Sequence, residues 1–201
     1  MIGICKVHNR TWSSAYMNYK CRCEDCRKAK SESDLALGVD PGWYGMIALV
    51  TIDTILEVHK IPSHKNTGDH THVGAKHAKK KINVLKLQEI ISKLPIKKID
   101  ISFMENVWPR PRDGKKSICT MCKNSGILTA LFELNGVVLT QVEPSVWKER
   151  LNVTKDKDTS INLVKKIYGK RQCNKFNALD DDNVAEAILV GYYGLKYGEI
   201  A

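Results

Sequence analysis

The chain has 201 residues, 43% hydrophobic and 27% charged, proportions that exclude a wholly disordered or collagen-like polymer. A chain of this length can bury roughly 70% of the surface it exposes unfolded, enough for one domain with a real core and a small appendage. Lys and Arg number 32 against 22 Asp and Glu, a formal charge of +10, which favours a polyanionic partner such as nucleic acid over the plainer alternative of a merely basic soluble protein.

In chain order, residues 1–34 come first: short, polar and rich in cysteine. Cys5, His8, Asn9 and Arg10 interrupt any signal-like apolar start, and no later run reaches the roughly 18 residues of a membrane helix, so the expected location is the cytoplasm. Seven cysteines in a reducing compartment point to metal ligation before disulfides. Cys5-x2-His8 followed by Cys21-x-Cys23-x2-Cys26 offers five soft ligands where zinc needs four. Cys5, His8, Cys23 and Cys26 make the most regular set, with Cys21 as a substitute for Cys23. Too few apolar residues lie here for an independent core, so zinc would have to supply the folding energy. The alternative is a disordered arm with reactive thiols. Arg10, Lys20, Arg22, Arg27, Lys28 and Lys30, interspersed among the ligands, suit a DNA-docking knuckle.

From Leu35 the pattern becomes that of alternating strands and helices. Leu35–Asp40 is a short apolar run stopped by Pro41-Gly42 and predicts a buried strand. Met46–Thr51 and Thr54–Ile61 predict a hairpin turning near Ile52-Asp53. Residues 62–81, with His64, His70, His72 and His77 among many lysines, predict a solvated loop that contacts phosphates rather than a standard metal site. Helical spacing recurs over Asn83–Leu94, strand alternation over Ile99–Glu105, and a helix runs on to about Asn135. There Cys119 and Cys122, at i and i+3, are expected to pack inward. Val137–Val142 predicts a strand, Pro144 opens a short helix, Ser160–Tyr168 gives another, and Asp181–Tyr193 the last. The order defines an α/β fold that starts with a hairpin.

Acidic residues sit where these elements end or begin. Asp40 closes the first strand after the cysteine-rich stretch and Glu105 closes the fourth, while Asp182 and Glu186 lie one helical turn apart on the last helix. Neighbouring parallel strands would bring Asp40 and Glu105 together at their C-terminal ends, the usual ligand edge of an open α/β sheet, and i, i+4 spacing lets Asp182 and Glu186 face the same place. Packed carboxylates repel unless cations neutralise them, and oxygen-only ligation suits Mg2+ or Mn2+. Two such ions can activate water and stabilise the leaving oxygen of a phosphodiester. The plain alternative is that each acid is a turn or helix-cap residue. A basic protein with an acidic metal pocket is the combination a nuclease requires.

VDPGWYG at Val39–Gly45, MENVW at Met104–Trp108 and DDNVAEAI at Asp181–Ile188 resemble the three acidic motifs of RuvC-type Holliday-junction resolvases, of the ribonuclease-H-like superfamily. The likeness spans about residues 35–195 and is especially similar to virus-encoded members, such as those of phages, with a replaced N-terminus. It implies a five-stranded mixed sheet flanked by helices over 35–201, a homodimer in the cytoplasm, and divalent-metal cleavage of four-way DNA junctions. Asp40, Glu105, Asp182 and Glu186 fall on the family's metal-binding carboxylates. The last acid is Glu where the family mostly has Asp, and Asp181 leaves that motif open to a shift of one residue. Trp108 falls where the family places an aromatic beside the active site; it either stacks on an unpaired base or belongs to the core. Arg110, Arg112, Lys115 and Lys116 surround it and could contact phosphates. Lys148, Lys155 and Lys157 lie in a stretch that approaches the scissile phosphate in related resolvases. Lys148 and Lys157 are candidates for transition-state charge stabilisation, against a reading as ordinary surface lysines. Rival readings are a ribonuclease-H-like nuclease acting on flaps or RNA–DNA hybrids, and a non-catalytic DNA-binding adaptor built on the zinc knuckle.

Overall fold

The computed structural model describes residues 4–5, 10–11, 34–42, 44–65, 80–106 and 114–198. The chain divides into two units, Met1–Asp34 and Leu35–Ala201. In the first, β1 (Ile4–Cys5) pairs antiparallel with β2 (Arg10–Thr11), Cys5 opposite Arg10. His8, Cys21, Cys23 and Cys26, the other expected zinc ligands, lie outside the described residues.

In the second unit β3 (Ala36–Asp40), β4 (Met46–Val50) and β5 (Ile55–Lys60) form an antiparallel meander. A separate pair follows, β6 (Ser63–Lys65) with β7 (Lys80–Ile82), and then α1 (Val84–Ile91), capped by Asn83, whose side chain accepts from the Lys86 N–H. β8 (Ile101–Glu105) returns parallel to β3. α2 (Lys115–Leu134) leads to β9 (Thr140–Val142), parallel to β8. α3 (Pro144–Arg150), α4 (Lys157–Lys175) and α5 (Asp182–Tyr197) complete the described elements. The main sheet has five strands in the order β5-β4-β3-β8-β9.

Strand periodicity sorts the core onto two faces. Leu37, Val39, Ile47, Leu49 and Met104 pack on one side against Leu87 and Ile91 of α1 and Leu128 and Phe132 of α2. Ala36, Ala48, Val50 and Ile101 face the other way, toward Trp147, Val164, Tyr168 and the apolar face of α5. Small residues on that second face let α5 come close. A Cβ at Gly38 would lie 2.1 Å from the Ala187 carbonyl oxygen and 2.4 Å from the Gly191 nitrogen, both backbone atoms, so β3 and α5 touch main chain to main chain. The contact fixes where the first turn of α5 sits relative to the end of β3.

Four expectations change. The stretch 62–81 is not all loop, since its ends pair as β6 and β7. The strand expected over Val137–Val142 shortens to Thr140–Val142, although Val137 and Leu139 are buried. The helix expected to end at Tyr168 continues to Lys175 past Gly169, whose φ of 78° breaks the helical path. Cys119 and Cys122 are free and exposed, because α2 turns Leu128 and Phe132 to the sheet and leaves both thiols on its outer side.

Candidate active site

Asp40 and Glu105 are neighbours because of register. Val39 pairs with Met104 across the parallel β3–β8 ladder, so the next residue on each strand is an acid. Parity then aims both. Asp40 shares a face with Ala36 and Gly38, Glu105 with Ile101 and Phe103, and this is the α5 side of the sheet. Asp40 is almost completely buried. Its Oδ1 accepts the Gly42 N–H at 2.9 Å, an Asx turn that explains Pro41-Gly42 after the strand.

Burial pushes the Asp40 carboxyl from its ordinary 3.8 up to about 7. The nearby charges of Glu105 and Glu186 push in the same direction, while the Gly42 hydrogen bond and the Lys148 ammonium oppose it. Three acids from three elements thus share one electrostatic neighbourhood. Glu186 receives Lys148 Nζ at 2.7 Å, both side chains being mostly buried. Asp182 receives Lys157 Nζ at 2.7 Å, but Lys157 is 73% exposed. Contact with Asp182 raises the Lys157 pKa. Asp181 is the N-cap of α5, its side chain accepting the Asn183 N–H at 2.9 Å. That capping role occupies Asp181 and leaves Asp182 as the acid that meets a lysine.

Of the expected basic contacts, Lys148 and Lys157 therefore reach the carboxylates directly. Lys155 is exposed just before α4, and Lys115 is exposed at the start of α2, followed by Lys116. Trp108, Arg110 and Arg112 lie outside the described residues, as do His70, His72 and His77.

One member of the cluster has no counterpart among the expected site residues. Trp147, fully buried on α3, donates its indole N–H to Glu105 Oε2 at 2.9 Å. Nearby, Asn106 donates to Glu143 Oε1 at 2.8 Å, tying the end of β8 to the start of α3. In the sequence the segment Glu143–Lys148 stands out for its lysine. A tryptophan three residues into a short helix carries no signal that its N–H points at a strand end.

The donor set is all oxygen, as Mg2+ and Mn2+ prefer, and the raised Asp40 pKa marks a buried acidic group that a cation would relieve. In the arrangement seen, no three His, Cys, Asp or Glu side chains among the described residues are gathered closely enough to hold an ion. Lys148, Lys157 and Trp147 draw Glu186, Asp182 and Glu105 each to its own partner.

The five-stranded mixed sheet with helices on both faces is a ribonuclease-H-like α/β fold. Within that class, the fold is that of the RuvC-type resolvases. Thermus thermophilus RuvC in complex with Holliday junction substrate superimposes with a TM-score of 0.55 at 12% identity, over 82% of this chain and 94% of that one. The Thermus thermophilus RuvC structure gives 0.53 at 13%, over 81% and 94%. The fowlpox virus Holliday junction resolvase, at a TM-score of 0.43 and 13% identity over 81% and 97%, is more distant. No protein-family model matches the sequence, and no curated protein does. At these identities the likeness is one of fold. Among the described residues, no helix is long and apolar enough to cross a membrane.

Proposed function

We propose that the chain is a divalent-metal-dependent endonuclease that resolves four-way DNA junctions by paired phosphodiester hydrolysis. The observation that carries this reading is that Asp40, at the C-terminal end of one of two central parallel strands, is buried and feels the charges of Glu105, at the end of the other, and of Glu186. It is supported by a fold shared with RuvC and by a net charge of +10 suited to a polyanion.

Asp40, Glu105, Asp182 and Glu186 would hold the metal, Mg2+ or Mn2+, which supplies Lewis-acid charge for water activation and for the leaving oxygen. The chain's own groups do the rest. Asp40, buried and accepting the Gly42 N–H, is the least exposed of the four acids. Lys148 and Lys157 balance the acids before substrate arrives, and their ammonium groups then face the phosphate whose charge grows during hydrolysis. Lys157, mostly exposed, can leave Asp182 at little cost. Lys115, Lys116 and Lys155, with Arg110 and Arg112, would neutralise flanking phosphates, and Trp108 would stack at the junction centre. Paired cuts need two such sites, so the working form is a homodimer. Zinc at Cys5, His8, Cys23 and Cys26 would order the basic N-terminal stretch for DNA docking, and the metal content of the purified chain checks it.

The test is a labelled synthetic four-way junction incubated with Mg2+ or Mn2+, beside a flap and an RNA–DNA hybrid. Symmetric nicks on the junction, lost in Asp40→Asn, Glu105→Gln and Asp182→Asn, are expected. Cleavage that survives all three substitutions refutes the assignment.

A further inference from the structure

The short helix α3 offers two consecutive side chains to two carboxylates from different elements. Trp147 Nε1 donates to Glu105 at the end of β8, and Lys148 Nζ meets Glu186 on α5. The neighbouring Asn106–Glu143 bond holds the start of α3 to the end of β8. Lys148 also lies over the Trp147 ring, 5.0 Å from its centre.

Packing alone does not require tryptophan here. The ring fills the core among Val164, Val184 and their neighbours, a task that phenylalanine or leucine performs without a polar atom. An indole brings a single N–H that can only donate, and inside a core it must find an acceptor. Its acceptor is one oxygen of an acid at the candidate metal site. The donor sits on a fully buried ring and is aimed at one oxygen of the Glu105 carboxylate, where it bears on that group's orientation.

We infer that Trp147 is a positioning residue for Glu105, its indole N–H holding the carboxylate in the orientation that receives a divalent cation. The inference rests on the metal-nuclease reading above. Groups that orient ligands in this way change metal affinity or activity by about 10- to 100-fold when removed.

Trp147→Phe keeps the aromatic bulk and deletes the N–H. In the full-length chain, calorimetric Mn2+ titration should show affinity lowered roughly 10-fold or more. The Mn2+ concentration for half-maximal junction cleavage should rise in step, with kcat recovered at saturating Mn2+. Unchanged Mn2+ affinity in a folded Trp147→Phe protein overturns the inference. A second measurement needs no change at Trp147. The sequence has four tryptophans, so replacing Trp12, Trp43 and Trp108 in turn assigns the indole N–H resonance of Trp147 in 15N-labelled protein. That resonance should shift on adding Mg2+ and in Glu105→Gln, and a resonance unmoved by both also overturns the inference. The two proposals fail differently. Wild-type protein that binds neither Mg2+ nor Mn2+ refutes the metal-nuclease reading itself. Binding weakened by Glu105→Gln but untouched by Trp147→Phe refutes only the positioning role.

Discussion

Replacing Asp40 by Asn should stabilise the metal-free protein while abolishing cleavage. Folding moves the Asp40 pKa from 3.8 to about 7. Every tenfold gain in proton affinity corresponds to about 1.4 kcal/mol, so the ionised carboxylate opposes folding by up to about 4 kcal/mol above pH 7. Between pH 4 and 7 the folded state holds a proton that the unfolded state has released, so stability in EDTA falls as pH rises through this window. Below pH 4 both states are protonated and the loss disappears. The amide of Asn keeps an oxygen for the Gly42 N–H, carries no charge, and can donate toward the neighbouring acids. Urea denaturation in EDTA should therefore find Asp40→Asn more stable than wild type by about 2–4 kcal/mol at pH 8 and equal to it near pH 4. Adding Mn2+ should reverse the order at pH 8, because ligand binding stabilises only the form that binds. A difference between the two proteins that does not change with pH would refute the reasoning, as would a less stable Asp40→Asn protein at pH 8.

Three further substitutions and one control separate the site from its scaffold. Gly38→Ala drives a methyl into three backbone atoms of α5 and should cost about 3 kcal/mol or more by thermal melting. Gly126→Ala, the control, in α2 with nothing within 4 Å of the added Cβ, should instead gain about 0.5–1 kcal/mol. Lys157→Gln should leave the melting temperature unchanged, since its partner bond is solvent-exposed, yet slow single-turnover junction cleavage roughly 100-fold. Tyr168→Phe removes a buried hydroxyl that donates to the Thr51 carbonyl at 3.0 Å and should cost about 1–2 kcal/mol with cleavage unaltered.

Where burial dictates residue type, sequence and structure coincide. Ala36–Asp40 and Ile101–Glu105 are apolar on the faces that meet helices and end on acids that a hydrophobic strand would not otherwise carry. Their endings, with the parallel pairing implied by a helix between them, are enough to place Asp40 beside Glu105. Other features depend on contacts that no local pattern encodes. The β6–β7 pair joins polar three-residue strands, with His64 and lysines in place of alternation. Apolar residues around all sides of α2 hide which face turns outward, and the expected inward packing of Cys119 and Cys122 fails for that reason. The lysine partners of Glu186 and Asp182, and the indole on Glu105, follow from how α3, α4 and α5 pack at the sheet edge. Asp181 shows the same division: only the cap geometry of α5 separates it from Asp182.

The most direct measurement of the central claim is Mn2+ binding to the full chain at pH 8, followed by calorimetry in wild type and in Asp40→Asn, Glu105→Gln and Glu186→Gln. If these acids from β3, β8 and α5 form one cation site, each substitution should weaken binding by at least about 10-fold, and junction cleavage should fall with it. Equal Mn2+ affinity in all four proteins, or wild type that binds no Mn2+, would contradict the account.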